Sequence, residues 1–137
     1  MGREVFDSFA GFDDFLVYLG ISLAYLAVFV AIYIRITPYR EMQLIREGNM
    51  AASFSLSGAI LGFIVPLAAS IQHSVSLVDM AIWGLIAMVV QIGAFVVARM
   101  LIPTLAEDIP ANKSSVGFFL GSFSLGVGLL NAACMSY

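Results

Sequence analysis

The sequence predicts an all-α, polytopic membrane protein with four transmembrane helices. Three observations predict it. Apolar residues make up 61% of the 137 positions and charged residues 11%, against roughly 45–50% and about 25% in an ordinary soluble domain. The fifteen formal charges (six Lys or Arg, nine Asp or Glu) fall in four places only: residues 3–14, residues 35–47, Asp79, and residues 99–113. Between them lie uncharged runs of 20 residues (15–34), 31 (48–78), 19 (80–98) and 24 (114–137). A hydrocarbon core about 30 Å thick needs roughly 20 helical residues. Helix is the element that fits, because an isolated strand leaves its amides unpaired in lipid and four segments cannot close a barrel.

The elements follow in order. Residues 1–14 form an acidic segment whose Phe6, Phe9 and Phe12 suit the membrane surface. It lacks the basic start of a cleaved signal peptide, and Phe6 stands where a myristoylation motif has Ser or Thr. The first span covers 15–34. "TPYREMQLIREGN" then reads as a short surface helix, started by Pro38 and stopped by Gly48–Asn49, with Met42, Leu44 and Ile45 set against Arg40, Glu41, Arg46 and Glu47. The remaining spans cover 50–72, 78–101 and 114–135.

Basic residues set the expected orientation. The loop after span one holds Arg35, Arg40 and Arg46, and the loop after span three holds Arg99 and Lys113, against Arg3 alone on the other side. Both basic loops are expected in the cytoplasm and both termini outside. Tyr18, Trp83 and Tyr137 then fall near the outer interface, Tyr33 and Tyr39 near the inner one.

An offset of 63 residues aligns Asn49 with Asn112, Ala51 with Ser114 and Gly58 with Gly121. An offset of 64 aligns Gly20 with Gly84 and Arg35 with Arg99. The spacing suggests two parallel two-helix repeats, or the shared grammar of membrane helices.

Small residues recur on one face of span two (Ala51, Ser55, Gly58, Gly62) and of span four (Ser114, Gly117, Gly121, Ser124, Gly128), with a GxxxG in each. Such a face either packs backbones together or lines a path. Packing is favoured, since lipid gives helices no hydrophobic drive toward each other and close backbone approach is the main attraction left. Spans two and four are therefore expected at the centre. Pro66 is expected to kink span two.

Polar groups inside spans are functional candidates by default. Gln91 and Asn131 are read first as interhelical hydrogen bonds, with a transport role as the alternative. Asp79 is read as a helix cap, with proton handling as the alternative. Arg35, Arg40, Arg46 and Arg99 are membrane anchors, or contacts to lipid phosphate or a partner. His73, Asp79, Asn131 and Cys134 all map to the outer ends of the spans, a set that thiol chemistry uses, but no local signature accompanies them. No catalytic residue, cofactor site or metal site is assigned: no nucleotide loop, HExxH or carboxylate pair is present, and one histidine and one cysteine supply too few metal ligands. No basic patch suits nucleic acid.

"IREGNMAASFSLSGAILGFIVPLAASI", "SLVDMAIWGLIAMVVQIGAF" and "VGLLNAACMSY" resemble the YjfL-like family of small bacterial inner-membrane proteins. The resemblance runs from about span one to the last residue. It implies a four-span inner-membrane protein and, because similar proteins tend to be encoded near membrane-stress genes, a part in envelope maintenance. It supplies no catalytic residue. The function expected is a non-enzymatic module in the lipid bilayer, acting as a homo-oligomer or in a larger membrane complex. A channel or transporter formed by an oligomer is the alternative.

Overall fold

The computed structural model describes residues 2–135, without the side chains of Asp7 and Ser8. Seven helices follow one another with no strand among the described residues: α1 (Gly2–Phe9), α2 (Phe12–Ile36), α3 (Glu41–Arg46), α4 (Met50–His73), α5 (Leu77–Leu101), α6 (Leu105–Asp108) and α7 (Ser114–Cys134). Four of them, α2, α4, α5 and α7, are long and apolar enough to cross a membrane. They match the four expected spans to within a few residues. The largest difference is at the start of α2, which takes in Asp13 and Asp14; acids in the first turn face the positive end of the helix dipole. The expected interfacial place of Tyr137 lies outside the described residues.

The centre is the pair α4–α7. Ala51 meets Gly117, Gly58 meets Gly121, and Gly62 meets both Ser124 and Gly128, all through backbone atoms. The order of these contacts along both helices makes the pair parallel. The fit is close enough that a Cβ built on Gly128 would lie 2.7 Å from the Gly62 Cα, and one on Gly117 2.7 Å from the Ala51 carbonyl carbon. Glycine is required here by approach rather than by dihedral angle. Pro66 is buried and α4 runs on through it to His73.

The outer helices are not placed alike. α5 packs against both α4 and α7, whereas α2 packs on α4 and α5. One end of the bundle is filled by aromatic rings from three helices: Phe29 stacks on Phe63 at 4.6 Å, and Tyr33 meets the edge of Phe95 at 5.2 Å. Tyr33 is 1% exposed and Tyr39 7%. Both side chains are covered by protein. Toward the other end the Tyr25 hydroxyl donates to the Ala81 carbonyl and ties α2 to α5.

Two helix boundaries differ from the sequence expectation for identifiable reasons. Pro38 does not start α3. A residue before proline is held extended, and Thr37 (φ −73, ψ 137) ends α2 there, so α3 begins only at Glu41. Asp79 is not the N-cap of α5. Ser76 is, accepting from the Asp79 amide at 3.1 Å, while the Asp79 carboxylate reaches back to the Val75 amide at 3.2 Å. This is close to a reciprocal capping box.

Candidate functional site

The polar residues fall into three groups. The first lies at the centre of the spans. Gln91 is 2% exposed, and its Nε2 donates to the Ser124 carbonyl at 2.7 Å, joining α5 to α7 beside Gly62. Its Oε1 has no partner. Ser55 and Ser70 donate to carbonyls of their own helix, at 3.0 Å to Ala52 and 2.7 Å to Leu67. These hydroxyls are used up locally, as serine in a helix commonly is.

The second group is the set His73, Asp79, Asn131 and Cys134. His73, at the end of α4, is exposed and lines a shallow cleft with Gln72, Ala132 and Ala133. Asp79, Asn131 and Cys134 do not line it. Cys134 is exposed and Asp79 serves the start of α5. Asn131 is half-buried with its Nδ2 unpartnered. Of the four, His73 alone lines that cleft.

The third group, at the basic end, was not singled out from the sequence. The surface helix α3 turns Glu41 inward, 0% exposed, and Met42 outward, 45% exposed. Glu41 and Met42 thus exchange the sides expected of them, while Leu44, Ile45, Arg40, Arg46 and Glu47 keep theirs. Glu41, Leu44 and Ile45 stand at i, i+3 and i+4, one side of a helix, and Leu44 and Ile45 pack on the core. The spacing was legible, but a charged residue on the apolar stripe was assigned to solvent by its type. Neither carboxylate oxygen of Glu41 has a hydrogen-bond partner, nor do the hydroxyls of Tyr33 and Tyr39. Tyr39 stands within polar reach of Glu41 and Ser55, in an alignment that falls short of a hydrogen bond. Burial pushes the Glu41 carboxyl up to about 8, with the Tyr39 hydroxyl offsetting part of the rise. Burial also raises the Tyr39 phenol, and the nearby Glu41 raises it further.

A cleft of about 490 Å³ opens beside this cluster, between the end of α2 and α3, with Tyr39 and Glu41 in its lining. Arg40 and Arg46 line it with Thr37 and Gln43; Arg35 and Arg99 are exposed elsewhere. The same end is braced by two asparagines. Asn49 caps α4, accepting from the Ala52 amide at 2.8 Å, and donates to the Ile109 carbonyl at 2.9 Å. Asn112, with a left-handed φ of 59°, accepts from the Ala51 amide at 3.2 Å. Asp108 accepts from Thr104 at 2.6 Å and pairs with Lys113 at 3.1 Å; these two partners hold its carboxyl below the usual range.

Among the described residues no three His, Cys, Asp or Glu side chains gather where a metal ion could be held. A family model described as Domain of Unknown Function (DUF350) matches residues 7–135. The inner membrane protein YjfL of Escherichia coli K12, designated UPF0719, is 38% identical over 134 residues, 98% of this chain and 99% of the relative. The UPF0719 transmembrane protein YshE of Bacillus subtilis is 28% identical over 114 residues, 82% of this chain and 84% of the relative. No solved structure matches. Nearly every described residue lies within the matched region, and the chain belongs to the DUF350/UPF0719 family.

Proposed function

We propose that this chain is a non-enzymatic component of the bacterial inner membrane that works by association, with copies of itself or within a larger envelope assembly. The observation that carries the reading is the α4–α7 seam. Its glycines are spent on backbone contact, so one copy has no water-filled centre through which to move a solute. The inner polar groups support the same reading: Gln91 bonds α5 to α7, and the serines bond their own helices. Orientation rests on the loop arginines and Lys113, which put the basic end in the cytoplasm and both termini outside. The YjfL-like resemblance points the role toward envelope maintenance. Exposed apolar surface on the spans, including Leu85, Val89 and Leu130, suits lipid and partner helices equally.

A channel between protomers is the second reading. The Asn131 amide and Gln91 Oε1 favour it, as buried polar groups whose hydrogen-bonding capacity a single chain leaves unused.

Extraction from native membranes in a mild detergent, followed by intact mass measurement, tests the proposal. The expected result is a species heavier than one 14.7 kDa chain and its bound lipid. A bare monomer at the lowest detergent that keeps the fold would overturn it. A homo-oligomer alone directs the next experiment to ion flux in liposomes, where Asn131→Leu separates the two readings.

A further inference from the structure

Glu41 occupies a place that is hard on a charged carboxylate. It is fully covered, and both oxygens lack hydrogen-bond partners. Burying an unpaired ionised carboxylate is among the costliest arrangements a fold can hold, and such a group normally neutralises instead.

The surroundings do not provide a counter-charge. From α2 comes the hydroxyl of Tyr33, and from the linker before α3 that of Tyr39. α4 contributes the Ser55 hydroxyl near Tyr39, and its only titratable residue, His73, lies at the opposite end. α5 brings Arg99, which is exposed and whose field reaches Tyr39. Arg35 at the end of α2 is exposed, as are Arg40, Arg46 and Glu47 on α3 and its flanks; Arg40 and Arg46 line the same cleft as Glu41 without bonding to its oxygens. Asp108 and Lys113 are paired with each other. The covered oxygens also leave no open side for a metal ion, which would require several oxygen ligands at once. A proton is the occupant that fits.

We propose that Glu41 is a proton-binding site: the carboxyl is held as the neutral acid while α3 is docked on the bundle, and loss of that proton weakens the docking. The element that would respond is well delimited. α3 is six residues long, joined to α2 through the extended Thr37–Pro38 and to α4 through Gly48, whose φ of 86° marks a sharp turn. These joints are where α3 would turn on leaving the bundle. The site stands apart from the association reading and does not depend on it.

The sign follows from linkage. The carboxyl sits near 8 when docked and near 4.5 when released to water, so docking takes up a proton between those values. Below about pH 4.5 both states hold the proton and docking is insensitive to pH. From there to about pH 8 the docking constant falls about tenfold per pH unit, and above that it levels off.

The test uses the full chain in lipid nanodiscs, followed by hydrogen exchange of the α3 amides corrected for intrinsic rate, from about pH 5 to about pH 9, a range spanning the titration. The wild-type protection should fall about tenfold per pH unit and flatten above about pH 8. Glu41→Gln, a neutral isostere of the acid, should show no slope while α4 stays protected as before. Infrared difference spectra of the wild type should show a protonated carboxyl band at neutral pH that disappears at high pH. Wild-type protection that ignores pH, a Glu41→Gln variant that keeps the wild-type slope, or a wild type without the carboxyl band would each overturn the proposal. The last readout does not depend on the variant folding.

Discussion

Gly128 and Gly126 lie two residues apart on α7, and the structure separates them sharply. A Cβ on Gly128 would stand 2.6 Å from the Gly62 carbonyl carbon and nearer still to its oxygen, where ordinary contact begins near 3.4 Å; α4 and α7 would have to part by at least 0.8 Å. The obstructing atoms are backbone, so no side chain can rotate away. A gap of 0.5–1 Å forfeits about a quarter to a half of the dispersion energy of each contact it opens. Overpacking of this kind costs about 1–3 kcal/mol, and in lipid no hydrophobic term pulls the helices back together. A Cβ on Gly126 meets nothing within 4 Å. Gly126→Ala should therefore be neutral, or stabilising by up to about 1 kcal/mol through helix propensity. The assay is equilibrium unfolding of the full chain in mixed micelles, titrated with a denaturing detergent and followed by the fluorescence of Trp83, the single tryptophan. Gly128→Ala should unfold at lower denaturant than Gly126→Ala, with at least about 1 kcal/mol between them. Equal stability of the two variants would refute the backbone seam.

Three further outcomes are expected. Gln91→Leu removes one interhelical bond and should cost about 0.6 kcal/mol, at most about 1.7, in the same unfolding assay. Asn49→Ala removes the cap of α4 and its bond to the Ile109 carbonyl, which keeps only the Asn112 amide; a loss of about 1–2 kcal/mol is expected, with hydrogen exchange rising first at residues 50–53. Asp108 is held below its ordinary range by Thr104 and Lys113. Its contribution is present above the unfolded value of 3.8 and is lost as pH falls through the lower folded value, so protection of residues 104–113 should survive mild acid, and Asp108→Asn should remove that pH dependence.

The spans were legible because lipid punishes charge so heavily that fifteen charged residues are confined to the ends of long uncharged runs. The seam was legible too, since glycine at steps of three and four in two helices has few uses in a membrane other than close approach. That Gly58 and Gly121 meet each other goes beyond periodicity, which gives the face of each helix and not its partner. Where α2 sits was not legible: its buried residues, Phe29 and Tyr33, lie toward one end, and most of the helix carries no pattern that selects a neighbour. Glu41 was missed for a different reason. Its i, i+3, i+4 spacing with Leu44 and Ile45 placed it on the inner face, but residue type outweighed position. Pro38 misled in the same way, since its effect on Thr37 outweighed its own fitness to start a helix.

The account rests most directly on α4 and α7 being paired within one chain, with their small residues used up there. Phe54 of α4 and Phe118 of α7 meet edge to face with ring centres 5.8 Å apart and are accessible from outside. With Cys134 replaced by Ser, the double variant Phe54→Cys, Phe118→Cys can be treated in native membranes with a short thiol-to-thiol linker. The account predicts linkage within single chains, seen as a monomer whose two thiols are both consumed by one linker. Covalent dimers as the main product would contradict it, and would move the glycine seam from the inside of a protomer to the boundary between two.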